Sequence, residues 1–141
     1  MITKKQITSI AVVDEVSLLN KEVLAELVDM VGQKSMSKML QVFLIELEEG
    51  LAILNQFLVS MKGEGLEADR EENFNGVALQ AHTLKSCAGS FGALALFEAV
   101  KGLEQLAKEK NLERVEQQVV KVNELSRLTE NELKQYVMES D

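Results

Sequence analysis

The chain has 141 residues and a net charge of −8, with a single Cys, a single His and no Pro. That length suits one domain whose core needs no disulfide or metal, and one Cys excludes an internal disulfide or a Cys-based zinc site. The 23 acidic against 15 basic residues speak against nucleic acid and anionic membranes as partners, because both are held by concentrated positive charge.

Hydrophobic spacing is helical almost throughout, with no sustained period-2 alternation. The absence of proline removes the commonest helix breaker and turn former, which argues against a sandwich or barrel. Residues 1–15 read as an N-terminal segment. Its apolar run Ile10–Val13 is too short for a secretory core or a membrane span, so a cytoplasmic protein is expected. A first helix runs from about Val16 to Val31 on Leu19, Val23, Leu27 and Met30, or starts at Lys21 with Asn20 as its cap. Gly32 is its stop.

A long second helix follows from Gln33 to Met61. Its stripe is Met36, Leu40, Phe43, Leu44, Leu47, Leu51, Leu54, Leu58 and Met61, with Glu46, Glu48 and Glu49 on the solvated face. Gly50 lies inside it, at a cost of about 1 kcal/mol against Ala, consistent with a close helix contact. Residues 62–73 (KGEGLEADREEN) are polar and aperiodic and read as a flexible loop, with Asn73 capping a third helix through His82 toward Phe91. Gly92 stands where a C′ glycine ends a helix. A fourth helix, Ala93–Lys108, uses Leu96, Val100, Leu103 and Ala107. A fifth, from Leu112 toward Met138, uses Val115, Val119, Val122 and Leu125. The Thr129-Glu130-Asn131-Glu132 run matches a capping box and predicts a break there. The sum is a single all-α domain: an antiparallel four-helix bundle with an additional N-terminal helix and a core over about 33–128. No long a/d seam is left over, so a monomer is expected.

At about 100° per residue, the neighbours of His82 on its helix are Asn75, Ala78, Leu79, Lys85, Ser86 and Gly89. Val77, Leu84, Cys87, Ala88 and Phe91 fall on the opposite, apolar side, where Cys87 reads as a buried small hydrophobe. The imidazole is thus expected to face solvent on a low surface, with a lysine one turn away. A glycine at 89 weakens the helix and asks for a reason. A carboxylate-bridged metal bundle needs Glu-x-x-His on two helices, which one His cannot supply. Nor does a G-x-x-x-x-G-K-[ST] loop occur.

The string Ala81-His82-Thr83-Leu84-Lys85-Ser86-Cys87-Ala88-Gly89-Ser90-Phe91-Gly92-Ala93, followed by Leu94, Leu96 and Leu103-Glu104, resembles the histidine-containing phosphotransfer (HPt) family, in a free-standing bacterial form. The family pattern is A-H-x-L-K-G-x-A, then a glycine, then an apolar helix reaching L-E. Ser86 replaces the usual glycine and has a hydroxyl to offer a phosphoryl oxygen.

The resemblance implies that His82 takes a phosphoryl group from one receiver aspartate and passes it to another, between a hybrid sensor kinase and a response regulator. It also implies that Lys85 supplies counter-charge and that Glu104 holds Nδ1–H. Read from the residues alone, Glu104 is equally an i,i+4 partner of Lys108. Ala78, Leu79, Gly89 and Ala93, with Asn75, form the expected docking floor. No cofactor is expected, Mg²⁺ coming from the receiver, and the chain is expected to be a phosphocarrier and not an enzyme. A receiver-binding module without phosphotransfer is the alternative.

Overall fold

A computed structural model describes residues 12–13, 16–63 and 67–140. Five helices carry the fold: α1 (Lys21–Val31), α2 (Gln33–Lys62), α3 (Glu67–Ser90), α4 (Leu94–Lys108) and α5 (Leu112–Ser140). Before them, β1 (Val12–Val13) pairs antiparallel with β2 (Val16–Ser17), Val13 opposite Val16. The rest of the 1–15 segment lies outside the described residues, as do 64–66.

Helix α1 takes the shorter of its two expected forms. The Asn20 side chain accepts from the N–H groups of Glu22 (3.1 Å) and Val23 (3.2 Å), satisfying donors that have no partner within the helix. Leu18 and Leu19 are buried just ahead of that cap, in non-helical chain. The stripe of α1 is accordingly Leu24, Leu27, Val28 and Val31. Met30, expected on the stripe, is 80% exposed, because a start at Lys21 lets Leu24 and Val28 set the inward face. Gly32, at φ 82°, alone joins α1 to α2.

Helix α2 buries Met36, Leu40, Phe43, Leu47, Leu54, Leu58 and Met61, all on the expected stripe. Gly50 is buried with them for a steric reason. A Cβ there would stand 2.6 Å from Leu84 Cδ2 and 2.9 Å from Gln80 Nε2, so the glycine lets α2 lie close against α3. Leu84 is itself buried and has little room to yield. Overpacking of this kind costs about 1–3 kcal/mol, against a helix-propensity gain of about 1 kcal/mol for Ala over Gly. Gly50→Ala is therefore expected to lower stability by about 1 kcal/mol net, read by denaturant titration. A raised stability would show that Leu84 gives way.

The expected loop over 62–73 is corrected: α3 begins at Glu67, six residues before Asn73, which lies inside the helix. Its first turns lack an apolar stripe, but Glu, Ala and Arg favour helix and tertiary contacts hold them. Arg70 Nη2 donates to the Met61 carbonyl at 3.1 Å, and Lys110 pairs with Glu71 at 2.6 Å from the α4–α5 turn. At its far end α3 stops as expected. Gly92 sits at φ 64°. The Ala93 N–H reaches the Ala88 carbonyl (2.9 Å) and the Gly92 N–H that of Gly89 (3.2 Å), the Schellman pattern. Asn20 N–H donates to the Gly92 carbonyl at 2.7 Å, which fixes the start of α1 over this turn.

Helix α5 is continuous through Thr129, so the expected break there does not occur. A capping box is a local signal, and here the apolar stripe continues: Leu125 and Leu133 are buried and Leu128 and Tyr136 pack on the core. Thr129 is buried within the helix and caps nothing. The core therefore reaches Leu133, past the expected limit at 128. Helices α2 and α4 each pack on both α3 and α5, closing a four-helix ring, with α1 against α2. Pairs such as Asn55–Asn123 and Lys62–Glu116 run in opposite senses along α2 and α5, as antiparallel neighbours require. Among the described residues no helix is long and apolar enough to cross a membrane.

Candidate functional site

Val77, Ala81, Leu84 and Ala88 anchor α3 in the core, and the helical period then turns His82 outward. Its side chain is 58% exposed. Nδ1 lies 3.2 Å from Glu104 Oε2 on α4. With Nδ1 engaged, Nε2 on the far edge of the ring is the nitrogen presented to a reactant. Lys85, one turn along α3, donates from Nζ to Glu104 Oε1 at 2.8 Å. Lys108 Nζ stands 3.7 Å from Glu104 Oε2.

One carboxylate thus meets the imidazole and both lysines. The two readings of Glu104, partner of His82 and i,i+4 partner of Lys108, hold together. Its side chain is only 13% exposed. The Lys85 ammonium above all holds its carboxyl below the ordinary carboxylate range, against partial desolvation, with smaller help from Lys108 and His82. Since the folded value lies below the unfolded one, the stability that Glu104 contributes is complete above the ordinary carboxylate range. It is lost as pH falls through the lowered value. Near neutrality Glu104 is an anion, an acceptor for an imidazole N–H and for nothing that lacks a proton.

Around this group the surface is low. Asn75, Leu79, Ser86 and Gly89 are exposed and Ala78 half-buried, as the helical projection requires. Ala93 is the exception: it is 1% exposed, because the chain leaves the helix at Gly92 and the projection no longer applies beyond it. It cannot belong to a docking floor. Leu79, 70% exposed, is the principal apolar side chain on this surface. At Gly89 an added Cβ would meet Phe97 at 3.5 Å, an ordinary contact, so the bundle itself does not demand glycine there.

The Ser86 hydroxyl donates to the His82 carbonyl at 3.4 Å, Ser90 to that of Ser86 at 3.0 Å, and Thr83 to that of Leu79 at 3.2 Å. These hydroxyls are spent on the helix's own backbone.

Cys87 is half-buried, not buried. Its thiol points at Glu46 Oε2, 3.5 Å away, and desolvation together with that carboxylate pushes it up to about 12, where it is protonated and unreactive. It lines a groove between α2 and α3, about 320 Å³ in volume, with Met39, Val42, Phe43 and Phe91. Glu46, Cys87 and Ser90 continue it into a second hollow edged by Ser86 and Thr83, beside His82. This groove was missed in the sequence. Its signal was Val42, an apolar residue off the α2 stripe that proves exposed. Among the described residues no group of three His, Cys, Asp or Glu side chains is placed to hold a metal ion.

The Hpt domain family model matches residues 38–137. In structure the chain is similar to histidine-containing phosphotransfer protein B (HptB) of Pseudomonas aeruginosa PAO1, known from a crystal structure. The TM-score is 0.74 at 21% identity, over 86% of this chain and 96% of that one. No curated protein matches the chain by sequence.

Proposed function

The chain belongs to the Hpt domain family, and from that premise we propose that it is a phosphorelay intermediate carrying a phosphoryl group on His82 Nε2. One observation carries the reading: the exposed imidazole is held through Nδ1 by a carboxylate that also gathers Lys85. An anionic Glu104 accepts a hydrogen bond from Nδ1–H, which keeps the proton on that nitrogen and leaves the Nε2 lone pair free to attack. As Nε2 bonds to phosphorus, the P–O bond to a receiver's aspartate breaks and the aspartate departs as a carboxylate. Delivery to a second receiver runs the same exchange backwards. Such transfer depends on positioning and on neutralising the phosphoryl oxygens, and Lys85, one turn along the same helix, is the cation that would do so. Mg²⁺ is expected from the receiver, and the phosphocarrier itself needs no nucleotide.

Receivers are expected to approach over Leu79, Ser86 and Gly89 and along the α2–α3 groove, as part of a small, transient interface. The surrounding compartment is expected to be the cytoplasm, where sensor kinases and response regulators meet. The test is to incubate the chain with receiver domains charged by acetyl phosphate in Mg²⁺. Acid-labile, alkali-stable label on the chain supports the reading. Binding of charged receivers without any label would instead make the chain an interaction module.

Glu104→Ala removes a charge-assisted hydrogen bond worth about 1.5 kcal/mol or more, so labelling is expected to slow about tenfold. The imidazole should also shift toward a mixture of tautomers by ¹⁵N NMR. An unchanged rate with an unchanged tautomer would remove Glu104 from the site.

A further inference from the structure

We propose that Lys108 is a positioning residue of the phosphorylated state: it takes over the Glu104 carboxylate when Lys85 turns from it to the phosphoryl oxygens on His82. The inference rests on the phosphotransfer reading above and deepens it.

The two oxygens of Glu104 are unequally served. Oε1 has Lys85 at 2.8 Å, whereas Oε2 is shared by His82 Nδ1 at 3.2 Å and Lys108 Nζ at 3.7 Å. Lys85 is on the same helix as His82, one turn away, so a group added to the ring comes within its reach. Lys108 is on α4, one turn past Glu104, and its side chain is mostly exposed. Its ammonium is already beside the carboxylate but not yet at hydrogen-bond distance, and it is free to close.

The charge count gives the reason for an exchange. With a neutral imidazole, one carboxylate and two ammonium groups sum to one positive charge. A phosphoryl group brings around −1.5 to −2, which turns the cluster negative by up to one charge. Without Lys108 the cluster is more negative by one further charge, and a carboxylate only 13% exposed faces a phosphoryl dianion with one lysine between them. Like charges at that range disfavour the charged pair. Lys108 should therefore favour the phosphorylated form at equilibrium, by an amount limited by its exposure.

The test measures how label divides at equilibrium between wild-type or variant chain and the receiver that labels it. Lys108→Gln is expected to shift the ratio about two- to fivefold toward the receiver, the range of an exposed ion pair. Lys108→Arg should restore it. In a Glu104→Gln background, where no carboxylate needs a cation, Lys108→Gln should have no further effect. An unshifted ratio overturns the inference, and so does an equal shift in both backgrounds, which would make Lys108 a general attractor of anions. Where Glu104→Gln takes up too little label to measure, NMR of the wild-type chain decides: slower exchange of the Lys108 Nζ protons on phosphorylation, as the ammonium closes on Glu104, supports the inference and unchanged protons overturn it. Absence of label on the wild-type chain would instead defeat the phosphotransfer reading itself.

Discussion

His82→Gln is expected to abolish labelling by charged receivers while leaving the fold untouched. The chain has one imidazole, so no second histidine can take over the attack. The side chain is more than half exposed and its polar contact is with Glu104. A glutamine amide can still donate toward that carboxylate, and it leaves the core contacts of α3 in place. The change in stability should stay within about 0.5 kcal/mol, as for surface substitutions that break no buried feature. Circular dichroism and denaturant titration check that half of the expectation, and label with acid and alkali treatment checks the other. Equal labelling of His82→Gln would show that the phosphoryl group sits elsewhere, and the site as drawn would be wrong. A weak, acid-labile residue of label would point to Lys85 as a second nitrogen nucleophile.

The exposure of His82 was legible in the sequence because it needs only the helical period and the positions of Val77, Leu84 and Ala88. The α2 stripe and the Gly92 stop were legible for the same kind of reason, since each is set by residues close in the chain. What escaped was set at long range. Helix α3 starts at Glu67 because Met61 and Lys110 supply partners for Arg70 and Glu71, and no local pattern announces either. The capping box at Thr129 was a true local signal that the continuing stripe through Leu133 overrode. Ala93 was misplaced by carrying a helical projection past the residue that ends the helix. The meeting of Glu104 with His82 across two helices was suggested only by family resemblance, and its pairing with Lys85 by nothing in the sequence. Spacing along α4 offered Lys108 alone, and the structure has both.

Phe43→Ala is expected to cost about 3 kcal/mol, the lower end of the range for a buried phenylalanine. Phe43 is buried on α2 and stacks on Phe91 near the end of α3, ring centroids 4.7 Å apart and planes 25° from parallel. That pair ties α2 to the turn that closes the helix bearing His82. Truncation removes the buried ring and the stacking contact, the latter worth about 0.5–1.5 kcal/mol beyond area. The cavity contribution is reduced here, because Phe43 floors a groove that is already open. Water can enter the space, whereas a sealed void would remain empty.

A loss of this size is a large share of the 5–15 kcal/mol that holds a typical domain, so the midpoint of denaturation should fall visibly with its slope unchanged. Phe43→Leu, which keeps most of the volume, should lose less than about 1.5 kcal/mol. A Phe43→Leu chain as stable as the wild type would show that the aromatic stack contributes nothing, and a Phe43→Ala chain as stable as Phe43→Leu would show the same of the buried volume. Beyond stability, the folded fraction of Phe43→Ala should still take up label on His82, since its imidazole, Glu104 and Lys85 are assembled by α3 and α4 without Phe43. His82→Gln and Phe43→Ala then fail in opposite ways, one folded and unlabelled, the other labelled and fragile. That opposition would separate the chemistry of the site from the packing that presents it.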